Sequence, residues 1–370
     1  MESPAEMEAQ KNDGGRRPPV ISPALEAMLR KFHAGYFRIG MSISGQALIW
    51  AMLAEENHGP IHRTVLLVLW SLAFFILFLL SFLYLLRCVF HFPLVQCEFF
   101  HHVGVNYLFA PWISWFLLLQ SMPFLDTPNF VYMILWCAFA IPVVILDVKI
   151  YGQWFTEGRR FLCIVANPTS QLSVIGNLVG AQAAAKLGWK ESALCFFSLG
   201  IVHYLVLFVT LYQRFSGANR LPSMLRPVFF LHIAAPSVAS VAWESINGGF
   251  DMTSKMLFFL SLFIFMALAC RPFLFRRAMK RFNIAWWAFS FPLSALALAS
   301  VEYHRHIQTL PAKLLMLLLL ALSVLVALLL FLITLLNSDV LSLDDDTLYN
   351  LPSNHLDSSL KRTPTSNSIN

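Results

Sequence analysis

A chain of 370 residues that is 58% hydrophobic and only 12% charged, with a mean hydropathy of +0.66, is far from the composition of a soluble domain. Such a domain carries about a quarter of its residues as charges. The composition defines a polytopic membrane protein, for which the lipid bilayer is the solvent. The net charge of +6 is read as a topology signal, and no nucleic-acid partner is expected.

Residues 1–32 are polar and proline-rich, with no cleavable leader, and read as a short disordered cytoplasmic tail. Ten apolar segments follow, near 34–54, 64–86, 103–121, 130–150, 167–186, 191–213, 227–246, 254–270, 282–302 and 312–336. Each approaches the roughly 20 residues that a membrane-crossing helix needs. Residues 33–336 thus form one transmembrane domain, and residues 337–370, rich in Ser, Asn and Asp, a second disordered cytoplasmic tail. The six cysteines are scattered through or beside apolar runs and read as buried small hydrophobes rather than a disulfide or zinc framework. With ten crossings both termini share a side, and that side holds 19 of the 26 Lys and Arg residues against six opposite. The positive-inside rule places both termini in the cytoplasm.

Odd-numbered segments differ from even ones. The third contains Phe109-Ala110-Pro111, the fifth opens on Asn167-Pro168-Thr169-Ser170-Gln171, the seventh carries Pro236-Ser237, and the ninth Phe289-Ser290-Phe291-Pro292-Leu293-Ser294. The first has no proline but holds Gly40, Ser42, Ser44, Gly45 and Gln46. Proline has no N–H, and a freed carbonyl is tolerated in lipid only where the backbone is buried in protein or lines a wet cavity. The pattern reads as five repeated hairpins, each with an inner kinked helix and an outer lipid-facing one. The fold class is all-α, with five inner helices around a narrow, neutral pore.

The pore-lining candidates are therefore Arg38, Ser42 and Gln46 on the first segment, Phe109 and Pro111 on the third, and Asn167, Pro168 and Gln171 on the fifth. Pro236 and Ser237 on the seventh join them, as do Phe289, Phe291, Pro292 and Ser294 on the ninth. The stripe of Ser173, Gly176, Gly180 and Ala184 has two readings, pore lining or close helix packing. Arg38 either snorkels to the cytoplasmic interface or faces the pore. Glu244 and Glu302 fall near outer helix ends and read as interfacial. No Arg series suggests a voltage sensor, and no chain of buried carboxylates suggests a proton relay. The pairs His101-His102 and His304-x-His306 fall at opposite faces, so no metal site, cofactor or enzymatic activity is expected.

Several longer motifs carry a resemblance. Ala34-Gly35-Tyr36-Phe37-Arg38-Ile39, Lys149-Ile150-Tyr151-Gly152-Gln153-Trp154 and Val165-Ala166-Asn167-Pro168 resemble plant slow-type anion channels. So do His203-Tyr204-Leu205-Val206, Val209-Thr210-Leu211-Tyr212-Gln213-Arg214, Ala234-Ala235-Pro236-Ser237 and Ala285-Trp286-Trp287. The likeness is collinear over about residues 30–335, is greatest to the short subtype, and extends to bacterial tellurite-resistance and fungal dicarboxylate transport proteins.

The resemblance implies ten helices in five hairpins around a quasi-fivefold pore, and assembly as a homotrimer or a heterotrimer with related subunits. It further implies plasma-membrane location, passive permeation of chloride or nitrate, opening by a protein kinase, and occlusion by a phenylalanine corresponding to Phe291. Gln171 departs from the histidine of the founding type, and most of that type's phosphorylated N-terminal domain has no counterpart here. Cytoplasmic Arg159 and Arg160 would concentrate anions at the pore mouth. Two alternatives stand beside a conducting channel: an electrically silent subunit that modulates a conducting relative, and a proton-coupled dicarboxylate carrier.

Overall fold

The computed structural model describes residues 22–56, 60–101, 103–124, 129–215, 223–280 and 282–337. The side chains of residues 56, 157–165, 213–215 and 223–225 lie outside this set. So do most of both expected tails, and the side chains of Arg159 and Arg160. The described residues contain thirteen α-helices and no strand.

These are α1 (Pro23–Lys31), α2 (Phe37–Glu56), α3 (Pro60–Phe90), α4 (Phe92–Phe100), α5 (Gly104–Tyr107), α6 (Phe109–Gln120) and α7 (Phe130–Val165). Then follow α8 (Gln171–Lys186), α9 (Lys190–Phe215), α10 (Leu231–Asn247), α11 (Met252–Ala269), α12 (Ser290–Ile307) and α13 (Leu310–Leu336). Helix α1 lies within the stretch expected as a tail. Ser22 caps it, and an Arg30–Glu26 pair at 2.8 Å closes one turn of its exposed face.

Five consecutive hairpins pack as units: α2 with α3, α6 with α7, α8 with α9, α10 with α11, and α12 with α13. The first member of each also packs on its counterparts, α2 on α6, α6 on α8, α8 on α10, α10 on α12 and α12 back on α2. A closed ring of five helices results. Burial separates the two sets: 83%, 78% and 89% of the spans built on α2, α10 and α12 is buried, against 17–39% for α3, α7, α9, α11 and α13. The outer set is the lipid-facing sleeve, which is why it can be rich in exposed Leu, Phe, Val and Ile.

Among the described residues eight helices are long and apolar enough to cross a membrane, or nine if α4 and the α5–α6 segment, bent by 104°, count as one. Length and apolar composition alone do not reach the expected ten, because two inner helices are short. Helix α8 has 16 residues, roughly 24 Å. The 3₁₀ turn Pro168–Ser170 leads into it and extends it by about 6 Å, toward the roughly 30 Å of a hydrocarbon core. The cysteine expectation is corrected as well. Cys97, Cys195 and Cys270 are exposed and Cys88 and Cys137 half-buried, because four of the five sit on the outer helices or at their ends and Cys97 lies on the short α4.

Candidate pore and gate

The N-terminal end of the ring is built from a repeated device. His33, Asn167 and Asn283 each adopt an extended backbone, with φ/ψ of −143/168°, −141/168° and −147/166°. Each turns its side chain to accept the N–H two residues on, from Gly35 at 3.0 Å, Thr169 at 2.8 Å and Ala285 at 3.1 Å. A 3₁₀ turn follows in every case, and then the inner α-helix. The side-chain acceptor supplies a partner for a backbone donor that the helix start leaves free.

This lead-in corrects the picture of proline kinks in mid-span. Pro111 and Pro292 are each the third residue of their α-helix, and Pro168 opens a 3₁₀ turn. In a first turn a missing N–H costs little, because those donors have no intrahelical acceptor. Pro236 alone of the four lies deeper, in the second turn of α10.

Phe291 is 3% exposed and packs against α2. A Cβ added at Gly45 would stand 3.6 Å from the Phe291 ring and 3.3 Å from Cβ of Ser294. Gly45 therefore lets α2 approach α12 where Phe291 sits. Phe289 is placed elsewhere, edge-on to Phe230 at 4.8 Å and to Phe275 at 5.5 Å, in an aromatic cluster at the N-terminal end of α12.

Several small polar candidates are committed to helix–helix hydrogen bonds. Ser42 bonds Ser290, and Gln46 donates from Nε2 to Ser294 at 2.9 Å and to Ser323 of the outer α13 at 2.7 Å. Ser237 bonds Ser261 of the outer α11. Ser42 thus joins two inner helices, and Gln46 and Ser237 reach the sleeve; such bonds join helices that have no hydrophobic force between them in lipid. The glycine stripe of α8 is likewise packing. A Cβ at Gly176 would meet the ring of Phe109 at 3.0 Å, and one at Gly180 the ring of Phe196 at 3.1 Å. Phe109 thereby fills the α6–α8 seam, and Asn167 is engaged in capping.

Other buried polar atoms on the inner helices have no partner among the described residues: Ser44 Oγ, both amide atoms of Gln171, Oδ1 of Asn177 and Oε1 of Gln120. Arg38 joins them, 3% exposed, with Nε donating to Gly35 O at 2.9 Å and its carbon 5.0 Å from the centre of the Tyr107 ring. It does not snorkel.

At the opposite end the C-termini converge. Lys186 of α8 donates to Gln120 O of α6 at 3.4 Å, within electrostatic range of Glu55 of α2, Glu244 of α10, and Glu302 and Arg305 of α12. Arg305 bonds Glu302 at 2.8 Å, and a cavity of about 620 Å³ is lined by Glu55, His304, Arg305, Gln308 and Lys313. Sequence reasoning passed over Lys186, whose only signal was a lysine ending an inner helix. It also passed over Gly45 as the partner of Phe291, since one small residue among several carries no address. Among the described residues no group of three His, Cys, Asp or Glu could hold a metal ion.

A ring of buried helices inside a lipid-facing sleeve, with orphaned polar groups along the inner helices, defines a polytopic membrane protein of the channel or carrier type. Residues 31–335 match the family described as SLAC1, voltage-dependent anion channel. The chain belongs to that family, and it is not an enzyme. It is 52% identical to the S-type anion channel SLAH1 of Arabidopsis thaliana over 337 residues, 89% of this chain and 87% of the relative. It is also 52% identical to the Arabidopsis S-type anion channel SLAH4 over 331 residues, 90% of both, and 42% identical to the guard cell S-type anion channel SLAC1 over 317 residues, 84% of this chain and 57% of the relative.

Proposed function

We propose that this chain is a slow-type anion channel subunit of the plasma membrane, with both termini in the cytoplasm, through which chloride and nitrate pass by electrodiffusion along the axis of the five-helix ring. Phe291 is the gate. The observation that supports this reading is the burial of its ring where the inner helices α12 and α2 meet, seated on Gly45. The names of the relatives support anions as the permeant class. All ten segments then cross the bilayer, the short α8 with the help of its lead-in turn.

Water and the permeant ion would satisfy the unpartnered atoms of Ser44 and Gln171 when the path is wet. Where such a path is uncharged, selectivity follows dehydration cost, which favours nitrate over chloride. Assembly as a trimer, with itself or with related subunits, completes the proposal and comes from the family resemblance.

The test is voltage clamp of cells expressing wild type and Phe291→Ala in chloride and then nitrate, with surface expression verified. Phe291→Ala is expected to give large currents that reverse with the anion gradient, at least tenfold above wild type. Currents equal to wild type at equal surface expression would remove Phe291 as the gate. Silence of both, with altered gating of a coexpressed conducting relative, would make the chain a modulating subunit.

A further inference from the structure

Arg38 is the second residue of α2, and no residue described here neutralises it. Its Nη1 and Nη2 are buried without a hydrogen-bond partner. The nearby acid of the lead-in region, Glu98, is engaged elsewhere, accepting the Ala34 N–H at 2.8 Å and facing Arg87 at 3.7 Å. A guanidinium removed from water needs a counter-charge or donors satisfied in some other way. The N-terminal end of the 20-residue α2 adds the positive pole of its dipole at the same place.

Position along α2 connects this group to the gate. Arg38 and Gly45 share one face, because seven residues make close to two helical turns, about 10 Å of rise. The Gly45 face is the one that Phe291 covers. Beside the guanidinium lie the Tyr107 ring and the Gly35 backbone, where a Cβ would stand 3.3 Å from Nη2.

We propose that Nη1 and Nη2 of Arg38 hold a single small monovalent anion, chloride or nitrate, resident on the N-terminal side of Phe291. The guanidinium fork matches two oxygens of a planar nitrate and offers chloride a single pair of donors. The inference rests on the ring as the anion path, but binding can be read without conduction. The site would hold an ion next to the closed gate, so that opening releases an anion already stripped of part of its water.

The test uses the purified full chain in detergent, with potassium gluconate exchanged for potassium nitrate or chloride at constant ionic strength. Wild type is expected to show a saturable rise in Tm, larger in nitrate, since a ligand bound only to the folded state stabilises it. Arg38→Gln should give a flat titration. Arg38→Lys should respond to both anions without the preference for nitrate. Arg30→Gln, which alters an exposed arginine, should behave as wild type. An unchanged response in Arg38→Gln would overturn the site.

Where Arg38→Gln does not fold, crystals of wild type grown in bromide decide. An anomalous peak within 4 Å of the guanidinium supports the site, and ordered bromide only elsewhere overturns it. A conducting Phe291→Ala with a flat wild-type titration would remove the site and leave the channel. A silent Phe291→Ala with an Arg38-dependent titration would do the reverse.

Discussion

At Gly45 one hydrogen atom decides how close two inner helices come. An alanine Cβ there would press on Ser294 at 3.3 Å, and valine would add methyl groups toward the Phe291 ring that already stands at 3.6 Å. Gly45→Val is therefore expected to destabilise the fold by about 1–3 kcal/mol, the usual cost of overpacking. Part of that loss should return in the Phe291→Ala background, because the ring is one of the two obstacles. A double-mutant cycle on thermal melts should show coupling of at least about 0.5 kcal/mol. Strict additivity would mean that Gly45 and Phe291 do not share one space. The Phe291 half of this pair was legible in the sequence, as an aromatic beside a proline in a recurring pattern. The Gly45 half was not, since several small residues in its segment were equivalent until the helices were brought together. Ser42, Gln46, Ser237 and Ser294 show the converse failure. They were polar in an apolar span, and only the structure shows them bonded to neighbouring helices rather than left unpartnered.

The five-hairpin order was legible at the level of helices, because prolines and small residues favoured the odd segments and plain Leu-rich runs the even ones. The recurring unit was misread, however. The prolines of the odd segments are not equivalent, since Pro168 opens a 3₁₀ turn whereas Pro111 and Pro292 stand third in α-helices. What repeats is the capping residue before the turn, and His33, Asn167 and Asn283 hide it because two residue types serve one geometry. Asn283→Ala should lower stability by about 0.5–2 kcal/mol, and Asn283→Asp should retain most of it. Equal melts for wild type and Asn283→Ala would show the cap to be idle.

The α10–α11 turn adds a pH prediction. Desolvation tends to raise the Asp251 carboxyl, but hydrogen bonds from Ser254 N–H and Trp243 Nε1 outweigh it and hold the group below its ordinary value. Such a carboxylate stabilises the fold above its unfolded value of about 4 and loses that contribution as pH falls through the folded value. The Tm difference between wild type and Asp251→Asn should be constant from neutral pH down to about 5 and shrink below about 4. A difference that grows on acidification would reverse the sign of this assignment. Gly248, which ends α10 at φ 77°, isolates backbone strain in the same turn. An added Cβ there meets nothing within 4 Å, so Gly248→Ala should cost about 1–2 kcal/mol from conformation alone.

Across the whole molecule, five hairpins close into a ring, yet the ring is fixed to its surroundings at its N-terminal end by one buried ion pair. Arg87 at the end of α3 is 3% exposed and Glu98 of α4 is fully buried, with their charged atoms at 3.7 Å. Glu98 also accepts the Ala34 N–H, so the same carboxylate holds the turn that delivers Arg38 and Gly45 into the ring. Gly104 is packed so closely that a Cβ would stand 2.6 Å from the Glu98 carbonyl, which ties α4 to the start of α5 and α6. Nothing in composition or periodicity pointed to this pair, because Arg87 and Glu98 sit among interfacial residues where solvated charges are ordinary. Its energetics follow from burial. Removing Glu98 alone leaves a desolvated guanidinium and an unpaired N–H, a loss of about 3–5 kcal/mol. Removing both charges leaves only the orphaned N–H and the change in packing, so Arg87→Met/Glu98→Ala should be more stable than Glu98→Ala. Thermal melts of the three variants in detergent check the order. A double variant as unstable as the sum of the two single losses would show that the charges act independently and that the lead-in turn is held by other contacts.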